Sequence, residues 1–413
     1  MLQPKQGPNY QWWLVALLSL NFGIVFFDRN ALNFLMPFVQ PDLALSNTQI
    51  GLLASALSLT WAISGYFIGQ ASDRAGKRKV FLIASVIAFS LCSFVSGMAT
   101  SFLLLLGARL LMGVAEGGIL PISQSLTAAE VAPERRGVAM GVMQNFGSNL
   151  LGSFVAPVAL VAFAEWFGWR EAFFLAGAPG LIAALLLWRF LREPAPRPAA
   201  PTGTSERLTL IEAFSQRNIV LCAMIAVLLV AYLVIAWAFL PIFLTQSRGY
   251  DPSTMGWLMG ALGISATVGS FLVPGLSDKI GRKPVMIGVP ILGVILPLAA
   301  MFYSGSAWIM AALFFIGWAL NGCFPMFMAT IPSETVDPRH TATALGLVMG
   351  LGEILGGVFG PTVAGIAADA YGAQAPLWIM FAFCLIASAL ALGLIETAPR
   401  HRRAAPAEMK TAA

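Results

Sequence analysis

Charged residues, histidines and cysteines are all scarce in this sequence. Lysine, arginine, aspartate and glutamate make up 10% of the 413 residues, whereas a soluble protein has about 25%, so an ordinary water-soluble enzyme is excluded. The two histidines, His340 and His401, have no other metal ligand near them in the sequence, and we expect no metal site. The four cysteines lie within apolar segments and indicate neither a disulfide framework nor a zinc site.

A phosphate-binding loop of the form Gly-x-x-x-x-Gly-Lys-Ser/Thr is also missing from the sequence. ATP is therefore not the evident energy source. We expect no enzymatic activity and no cofactor, and an ion gradient is the energy source that remains.

Long apolar segments dominate what is present. Residues 80–102, 219–240 and 285–302 carry almost no charge, and each is long enough to cross a hydrocarbon layer of about 30 Å as a helix. Breaks at charged or Pro/Gly-rich positions divide the chain into predicted membrane helices. There are twelve: 12–39, 48–70, 79–98, 101–123, 137–163, 171–190, 218–245, 254–276, 284–303, 307–331, 341–367 and 375–395.

The longest break, 191–217, is rich in proline and arginine and indicates a solvated linker. The predicted fold is an all-α polytopic membrane protein with an N-terminal six-helix bundle (1–190) and a C-terminal six-helix bundle (218–396). The linker (191–217) and the tail (397–413) are predicted to be cytoplasmic.

Basic residues lie almost entirely in alternate loops and in the two tails. The exceptions are Arg170 and Arg248 in the opposite loops, and Arg29 and Arg109 within the predicted helices. Positive charge marks the cytoplasmic side of a membrane protein, so both termini are predicted to be cytoplasmic. The net charge of +5 is mostly a consequence of this topology, and we expect no nucleic-acid partner.

The two halves of the chain repeat each other at a nearly constant offset. Such an offset across many loops and helices indicates an internal duplication, with a cavity between two related bundles as the natural place for a substrate. Four pairs are 204 residues apart: Pro37 and Pro241, Pro121 and Pro325, Glu130 and Glu334, and Arg135 and Arg339.

The loop between the second and third helices reads Gly69-x-x-x-Asp73-Arg74-x-Gly76-Lys77-Arg78, and a weaker copy lies between the eighth and ninth helices. A solvated turn with positive charge on the cytoplasmic side would explain the basic residues, but not the repeated glycine and aspartate positions. This motif and the twelve-helix layout resemble the major facilitator superfamily over essentially the whole chain. The resemblance implies a cytoplasmic gate at Gly69, Asp73, Arg74, Gly76, Arg78, Asp278, Gly281 and Arg282.

A few ionisable residues lie deep within predicted helices: Asp28, Arg29, Arg109, Glu116 and Glu353. A charge at this depth costs about 2.5–3.5 kcal/mol, so each of them must be paired or face a wet cavity. They form either a structural network that joins helices, such as a pair of Asp28 with Arg109, or a titratable switch.

The order Asp28-Arg29-Asn30, followed by Arg109 and Glu116 in the fourth helix, resembles the anion:cation symporter family, which includes bacterial hexonate and hexuronate permeases. The resemblance implies that Arg29 binds the substrate carboxylate, that Asp28 and Glu116 are protonation sites, and that Arg109 links them. The family often continues Asp-Arg-x-Asn-Leu-Ser, whereas this chain continues with Ala31-Leu32-Asn33. This departure leaves the choice of substrate open.

The chemistry of the residues agrees with that role. An arginine stays charged at any working pH and presents a planar fork that matches a carboxylate. Polar and aromatic residues elsewhere in the predicted helices are further substrate-binding candidates, although packing or an interhelical hydrogen bond would explain each of them. These candidates are Asn33, Asn145, Asn149, Tyr232, Trp237, Asn321 and Glu353.

The predicted function is proton-coupled symport of a small organic anion, such as a sugar acid or an aromatic acid, by alternating access. Carboxylates beside arginines favour protons, because sodium prefers several oxygen ligands without an adjacent positive charge. We expect a monomer in the bacterial cytoplasmic membrane. An antiporter of drugs or metabolites, which would tolerate loss of Arg29, stays open, as does a channel or a sensor.

Overall fold

The computed structural model is almost entirely helical in the residues that it describes, which are 8–132, 135–193, 215–337 and 340–398. Eleven helices in these residues are long and apolar enough to cross a membrane, and a twelfth is shorter. The predicted all-α membrane fold is confirmed. In chain order these helices are α1 Tyr10–Leu43, α2 Asn47–Ser72, α3 Arg78–Gly97, α4 Phe102–Glu130, α5 Val138–Phe167, α6 Trp169–Phe190, α7 Arg217–Ser247, α8 Pro252–Ile280, α9 Arg282–Phe302, α10 Ala307–Thr335, α11 Thr343–Tyr371 and α12 Ala375–Ala391.

The first of these, α1, is broken in its middle. Its two α-helical segments, Pro8–Arg29 and Ala31–Leu43, meet at Asn30. The Asn30 side-chain amide donates a buried hydrogen bond to the Gly152 carbonyl of α5, at 3.0 Å. The break therefore places Asp28 and Arg29 at the end of a helical segment in the interior of a membrane helix.

The internal duplication extends to local backbone geometry. Wide π-type turns occupy Ser148–Val155 in α5 and Gly352–Phe359 in α11, which are 204 residues apart at both ends. Gly76 and Gly281, in the two copies of the loop motif, have φ of 61° and 107°, a region that side chains other than glycine disfavour. The repeat is thus a property of the fold as well as of the sequence.

The helices are grouped into two compact units. The first consists of Met1–Ala200, Val234–Thr267 and Gly357–Pro376, and the second consists of Pro201–Leu233, Val268–Gly356 and Leu377–Ala413. Residues 194–214 of the predicted linker and 399–413 of the predicted tail lie outside the described residues. The bundle boundaries 1–190 and 218–396 stay a prediction.

Within the first unit, α2 and α4 pack very closely through glycines. A Cβ atom on Gly113 would collide with Thr60 and Leu57, and one on Gly117 would collide with Ser64. The Ser64 hydroxyl donates to the Gly113 carbonyl at 3.1 Å. Small residues let helix backbones approach each other in membranes, and this contact brings α2 beside the charged residues of α4.

A second close contact in the first unit joins α2 to α11. Asp369 accepts hydrogen bonds from the backbone amides of Asn47 and Thr48 at 3.0 and 2.8 Å, so it caps the N-terminus of α2. One turn away, Gly51 lies so close to the Pro361 carbonyl that a side chain would not fit. A carboxylate at a helix N-terminus is favourable both as a cap and with respect to the helix dipole.

Candidate functional site

The charged residues of α1 and α4 meet within the first unit. The Arg29 guanidinium lies with its Nη1 atom 3.6 Å from Oε2 of Glu116, and the two side chains are 17% and 0% exposed. This is an ion pair without a hydrogen bond. Neither carboxylate oxygen of Glu116 has a hydrogen-bond partner among the described residues.

Two aromatic rings flank the Arg29 guanidinium. Its central carbon lies 5.0 Å from the ring centroid of Trp61 in α2 and 5.5 Å from that of Phe26, one turn earlier in α1. Such cation–π contacts stabilise a cation that has lost part of its hydration. Arg29 therefore lies against two aromatic rings, and its fork has no hydrogen-bonded partner among the described residues.

Arg109 joins α4 to the broken middle of α1. It is 2% exposed, and its Nη1 atom donates to the Arg29 backbone carbonyl at 3.1 Å. The same atom contacts the sulfur of Met112 at 3.3 Å. Arg109 thus joins α4 to the backbone of α1. Its predicted role of linking Asp28 and Glu116 stays a prediction.

Asp28 lies on the other side of α1, against α3. It is fully buried, and its Oδ1 atom lies 2.5 Å from the Ser93 hydroxyl. The same hydroxyl lies 3.0 Å from the Phe173 carbonyl of α6. Asp28 is therefore held between α3 and α6, about 100° around α1 from Arg29.

The other substrate-binding candidates of the first unit lie on α1, α5 and α7. Asn33, Asn145 and Asn149 are each partly buried. Trp237 is 8% exposed and packs edge-on against Phe34, with ring centroids 5.6 Å apart. Their roles in binding stay predictions.

In the second unit, Tyr232 and Asn321 line one pocket together with Trp318 and Phe324. Tyr232 is 2% exposed, and its hydroxyl donates to the Gly293 carbonyl at 3.0 Å. This hydrogen bond joins the hydroxyl of Tyr232 to α9. The remaining candidate, Glu353, lies partly buried on the π-type segment of α11.

The first copy of the predicted gate lies at the α2–α3 turn. Gly69 is partly buried, Arg74 and Gly76 are exposed, and Arg78 begins the third helix. The side chain of Asp73 lies outside the described residues. Participation of these residues in a gate stays a prediction.

The second copy is a compact ionic cluster around Arg282. Its Nη1 atom contacts Asp278 and the Ser277 hydroxyl at 2.6 Å each. Its Nη2 and Nε atoms donate to the two carboxylate oxygens of Glu334 at 2.9 and 3.3 Å. Gly281 supplies the left-handed turn that lets Arg282 begin α9 in this position.

A glutamate caps the helix that follows each copy of the loop motif. The sequence alone did not predict this cap. Glu193 accepts from the backbone amides of Arg78 and Lys79 at 2.7 and 2.9 Å. Glu396 accepts from those of Arg282 and Lys283 at 2.8 and 3.0 Å. The two glutamates are 203 residues apart, so the internal repeat is the signal that could have found them.

Replacing Glu396 by glutamine is expected to destabilise the protein at pH 7 by roughly 1 kcal/mol, because the amide keeps one acceptor oxygen but loses the other and the negative charge that favours a helix N-terminus. Partial burial on its own raises the pKa of Glu396, but the backbone amides that donate to it together lower that pKa below its ordinary value. A lowered pKa contributes stability above the unfolded-state value of about 4.3, and this contribution is lost as the pH falls through the folded-state value.

The difference in melting temperature between Glu396→Gln and the wild type should therefore shrink between pH 7 and pH 4, measured in detergent. Exposed Glu165 provides the control, because Glu165→Gln should leave melting unchanged at both pH values. A difference for Glu396→Gln that stays constant with pH would contradict the role of its charge.

Trp61 contacts Arg29, and Ser93 contacts Asp28. The sequence alone did not predict either residue as part of the site. A tryptophan or a serine within an apolar helix carries no signal of its own. For Trp61 the neighbouring Thr60 and Ser64 form a small polar stripe, which indicates close helix packing near this position.

Proteins with similar sequences are membrane transporters. The Major Facilitator Superfamily model matches residues 18–240 and 220–413. The hexuronate transporter of Bacillus subtilis is 29% identical over 387 residues, which cover 87% of this chain and 88% of the relative. A probable 4-methylmuconolactone transporter of Cupriavidus pinatubonensis is 28% identical, with 91% and 87% covered. Multidrug resistance protein 2 of B. subtilis is 26% identical, with 88% and 91% covered.

A solved structure shares the fold. The crystal structure of a bacterial homologue of the human lysosomal transporter Spinster, in an inward-facing and occupied conformation, superimposes with a TM-score of 0.78. It is 22% identical, and the match covers 94% of this chain and 97% of that one. The resemblance to transporters of this superfamily, predicted from the loop motif and the membrane charges, is confirmed.

Proposed function

Because the chain belongs to the Major Facilitator Superfamily, we propose that it is a proton-coupled symporter that carries a small organic anion by alternating access. The cargo is a carboxylate, with sugar acids favoured by the similarity to a hexuronate transporter. One observation carries this proposal. The guanidinium of Arg29 lies inside a membrane helix, 3.6 Å from Glu116, without a hydrogen bond between them.

The Arg29 fork suits a carboxylate ligand. Its donors make no hydrogen bond to the described residues, so a carboxylate can accept two parallel N–H bonds without displacing another acceptor. The Trp61 ring, 5.0 Å from the guanidinium, offers a flat apolar wall for the body of the substrate. Charge-assisted pairs of this kind are about twice as strong as neutral hydrogen bonds.

Binding of an anion at Arg29 is coupled to a proton through Glu116. While the site is empty of substrate, the Arg29 charge compensates the fully buried Glu116 carboxylate. A substrate carboxylate that takes over Arg29 leaves Glu116 as an uncompensated buried charge, which costs several kcal/mol. Uptake of a proton by Glu116 removes that cost, so the anion and the proton bind together.

Hydrogen-bond geometry supports Asp28 as a second proton carrier. The Ser93 hydroxyl has one hydrogen, yet it lies within hydrogen-bond distance of both Asp28 and the Phe173 carbonyl. Both contacts are hydrogen bonds at the same time only when Asp28 carries a proton and donates it to the Ser93 oxygen. Deprotonation of Asp28 would release one of the two contacts and loosen α1 from α6.

The gate, the orientation in the membrane and the oligomeric state are proposed from the sequence. The two copies of the loop motif act as the cytoplasmic gate, both termini lie in the cytoplasm, and the protein works as a monomer in the bacterial cytoplasmic membrane. The basic residues of alternate loops support the orientation.

Export of cationic drugs is the second candidate, favoured by the similarity to multidrug resistance protein 2. In that case the buried carboxylates would bind the cargo, and Arg29 would be dispensable. The two candidates differ in the charge of the cargo and in the direction of its movement relative to the proton.

Transport by purified protein in proteoliposomes tests the proposal. An inward proton gradient should drive uptake of labelled glucuronate or of an aromatic carboxylate such as benzoate, and a protonophore should abolish it. Proton-driven movement of the cationic dye ethidium, with no movement of either carboxylate, would favour the drug exporter instead.

A further inference from the structure

A group of buried polar atoms in the first unit lies beyond the Arg29–Glu116 pair. Asn21 of α1 is 1% exposed, and neither its amide nitrogen nor its amide oxygen has a hydrogen-bond partner among the described residues. The hydroxyl of Ser123 in α4 is fully buried and also lacks a partner in that part of the chain. An unpaired polar group in an apolar interior costs several kcal/mol, so these atoms need a polar ligand.

Two contacts define how α1 lies against α4. Arg109 donates to the Arg29 carbonyl at 3.1 Å, and the Ala132 amide, just beyond α4, donates to the side chain of Gln11 at 3.4 Å. The middle of α1 thus meets the early part of α4, and the start of α1 meets the residues just beyond the end of α4. The two helices are antiparallel.

Interpolation between these contacts at about 1.5 Å per residue places Asn21 level with roughly residue 119 of α4. Glu116 and Ser123 are two turns apart on one face of α4, so Asn21 lies at the height of the space between them. Asn21 is also two turns before Asp28 on the same face of α1. Asn21, Glu116 and Ser123 therefore lie at similar heights along the contact of α1 with α4, and all three are buried.

Apolar side chains surround this segment in the described part of the chain. The side chains of α1 and α4 around it belong to one apolar core cluster that includes Leu18, Phe22, Val25, Ile119 and Ile122. A small ligand that both donates and accepts hydrogen bonds can satisfy an amide, a hydroxyl and a carboxylate at once, and water does so inside proteins with about three bonds each.

We propose that Asn21, Ser123 and Glu116 bind a file of internal water that carries protons between Glu116 and Ser123, towards the end of the first unit where Gln11 meets Ala132. Seven residues of helix separate Glu116 from Ser123 by about 10 Å, a distance that roughly three waters at about 2.8 Å spacing span. The inference rests on the proposed proton coupling and names the route of the proton.

Transfer along this file makes and breaks only O–H bonds. During symport the carboxylic acid of Glu116 gives its proton to the first water and becomes a carboxylate, and that water releases another of its hydrogens to the next water. The last water releases a proton at the Ser123 end, on the predicted cytoplasmic side, so one proton enters the file and one leaves it. The Asn21 amide orients the waters by donating to one and accepting from another, and it neither gains nor loses a proton.

The experiment follows proton entry into proteoliposomes that contain a pH-sensitive dye, after addition of glucuronate. Asn21→Leu should slow proton entry and uphill uptake by about a hundredfold, a usual contribution of an assisted proton transfer. Exchange of labelled for unlabelled glucuronate, which requires no net proton movement, should stay near the wild-type rate. Asn21→Ser, which can still hold a water, should restore much of the proton entry.

Ser123→Ala gives an independent test, and Ser90→Ala is its matched control. Ser90 is fully buried in α3, and its hydroxyl donates to the Val86 carbonyl of the same helix at 3.0 Å. Ser123→Ala should slow proton entry but not exchange, whereas Ser90→Ala should behave as the wild type.

Proton entry at the wild-type rate in Asn21→Leu or in Ser123→Ala would overturn the water path. Equal losses of proton entry and exchange in Ser123→Ala and Ser90→Ala would also overturn it, because they would indicate packing alone. A wild-type protein that takes up glucuronate without any proton entry would instead refute the proposed proton coupling, and the water path with it.

Discussion

Arg29→Lys is expected to reduce glucuronate uptake by about a hundredfold, because lysine keeps the charge but loses the planar fork that donates two parallel bonds to a carboxylate. Loss of one charge-assisted bond from a desolvated pair costs about 3 kcal/mol, which corresponds to that factor. The positive charge beside Glu116 is retained, so the protein should still fold. Initial uptake rates in proteoliposomes and thermal shifts with glucuronate measure the effect.

The control for this substitution is Arg170→Lys. Arg170 forms an ion pair with Asp42 at 2.7 Å, and both side chains are substantially exposed, so its replacement should leave uptake unchanged. Unimpaired uptake by Arg29→Lys would refute the assignment of Arg29 as the substrate cation. If carboxylate uptake were absent in the wild type while ethidium efflux persisted in Arg29→Ala, the drug exporter would be supported.

Glu116→Gln should abolish accumulation of glucuronate against its gradient while preserving exchange. The amide cannot take up a proton, so anion binding at Arg29 is no longer linked to the proton gradient. When one proton accompanies each anion, a pH difference of one unit can drive accumulation of at most about tenfold. In Glu116→Gln the internal concentration should rise only to the external one, as measured with labelled glucuronate.

Glu165→Gln, an acid-to-amide change at an exposed position of α5, should accumulate glucuronate as the wild type does. Accumulation by Glu116→Gln that depends on the pH gradient would show that another group carries the proton. Asp28 would then be the first candidate, because it is the other fully buried carboxylate of the network.

The two substitutions separate recognition from coupling. Arg29→Lys should weaken uptake and exchange alike, since both require the anion to bind. Glu116→Gln should spare exchange, since exchange does not require the empty, deprotonated carrier to return. The Asn21 substitutions, like Glu116→Gln, should spare exchange, but they act on the rate of proton entry. The three positions can therefore be distinguished in one set of assays.

The sequence by itself determined the class of protein and its repeat. Apolar length and the scarcity of charge are properties of each segment alone, so they predict membrane helices without knowledge of their neighbours. The offset of about 204 residues predicted the duplication, and it reappears in the π-type segments of α5 and α11. The cost of charge in a membrane singled out Asp28, Arg29, Arg109 and Glu116.

Only the tertiary structure decided how those charges are paired. Periodicity assigns a residue to a face of its helix but does not say which helix lies opposite, or at what height. The sequence alone left a pair of Asp28 with Arg109 open, whereas in the structure Asp28 contacts Ser93 and Arg109 contacts a backbone carbonyl. The close contacts of α4 with α2 and the antiparallel register of α1 against α4 set these partners, because they depend on residues far apart in the chain.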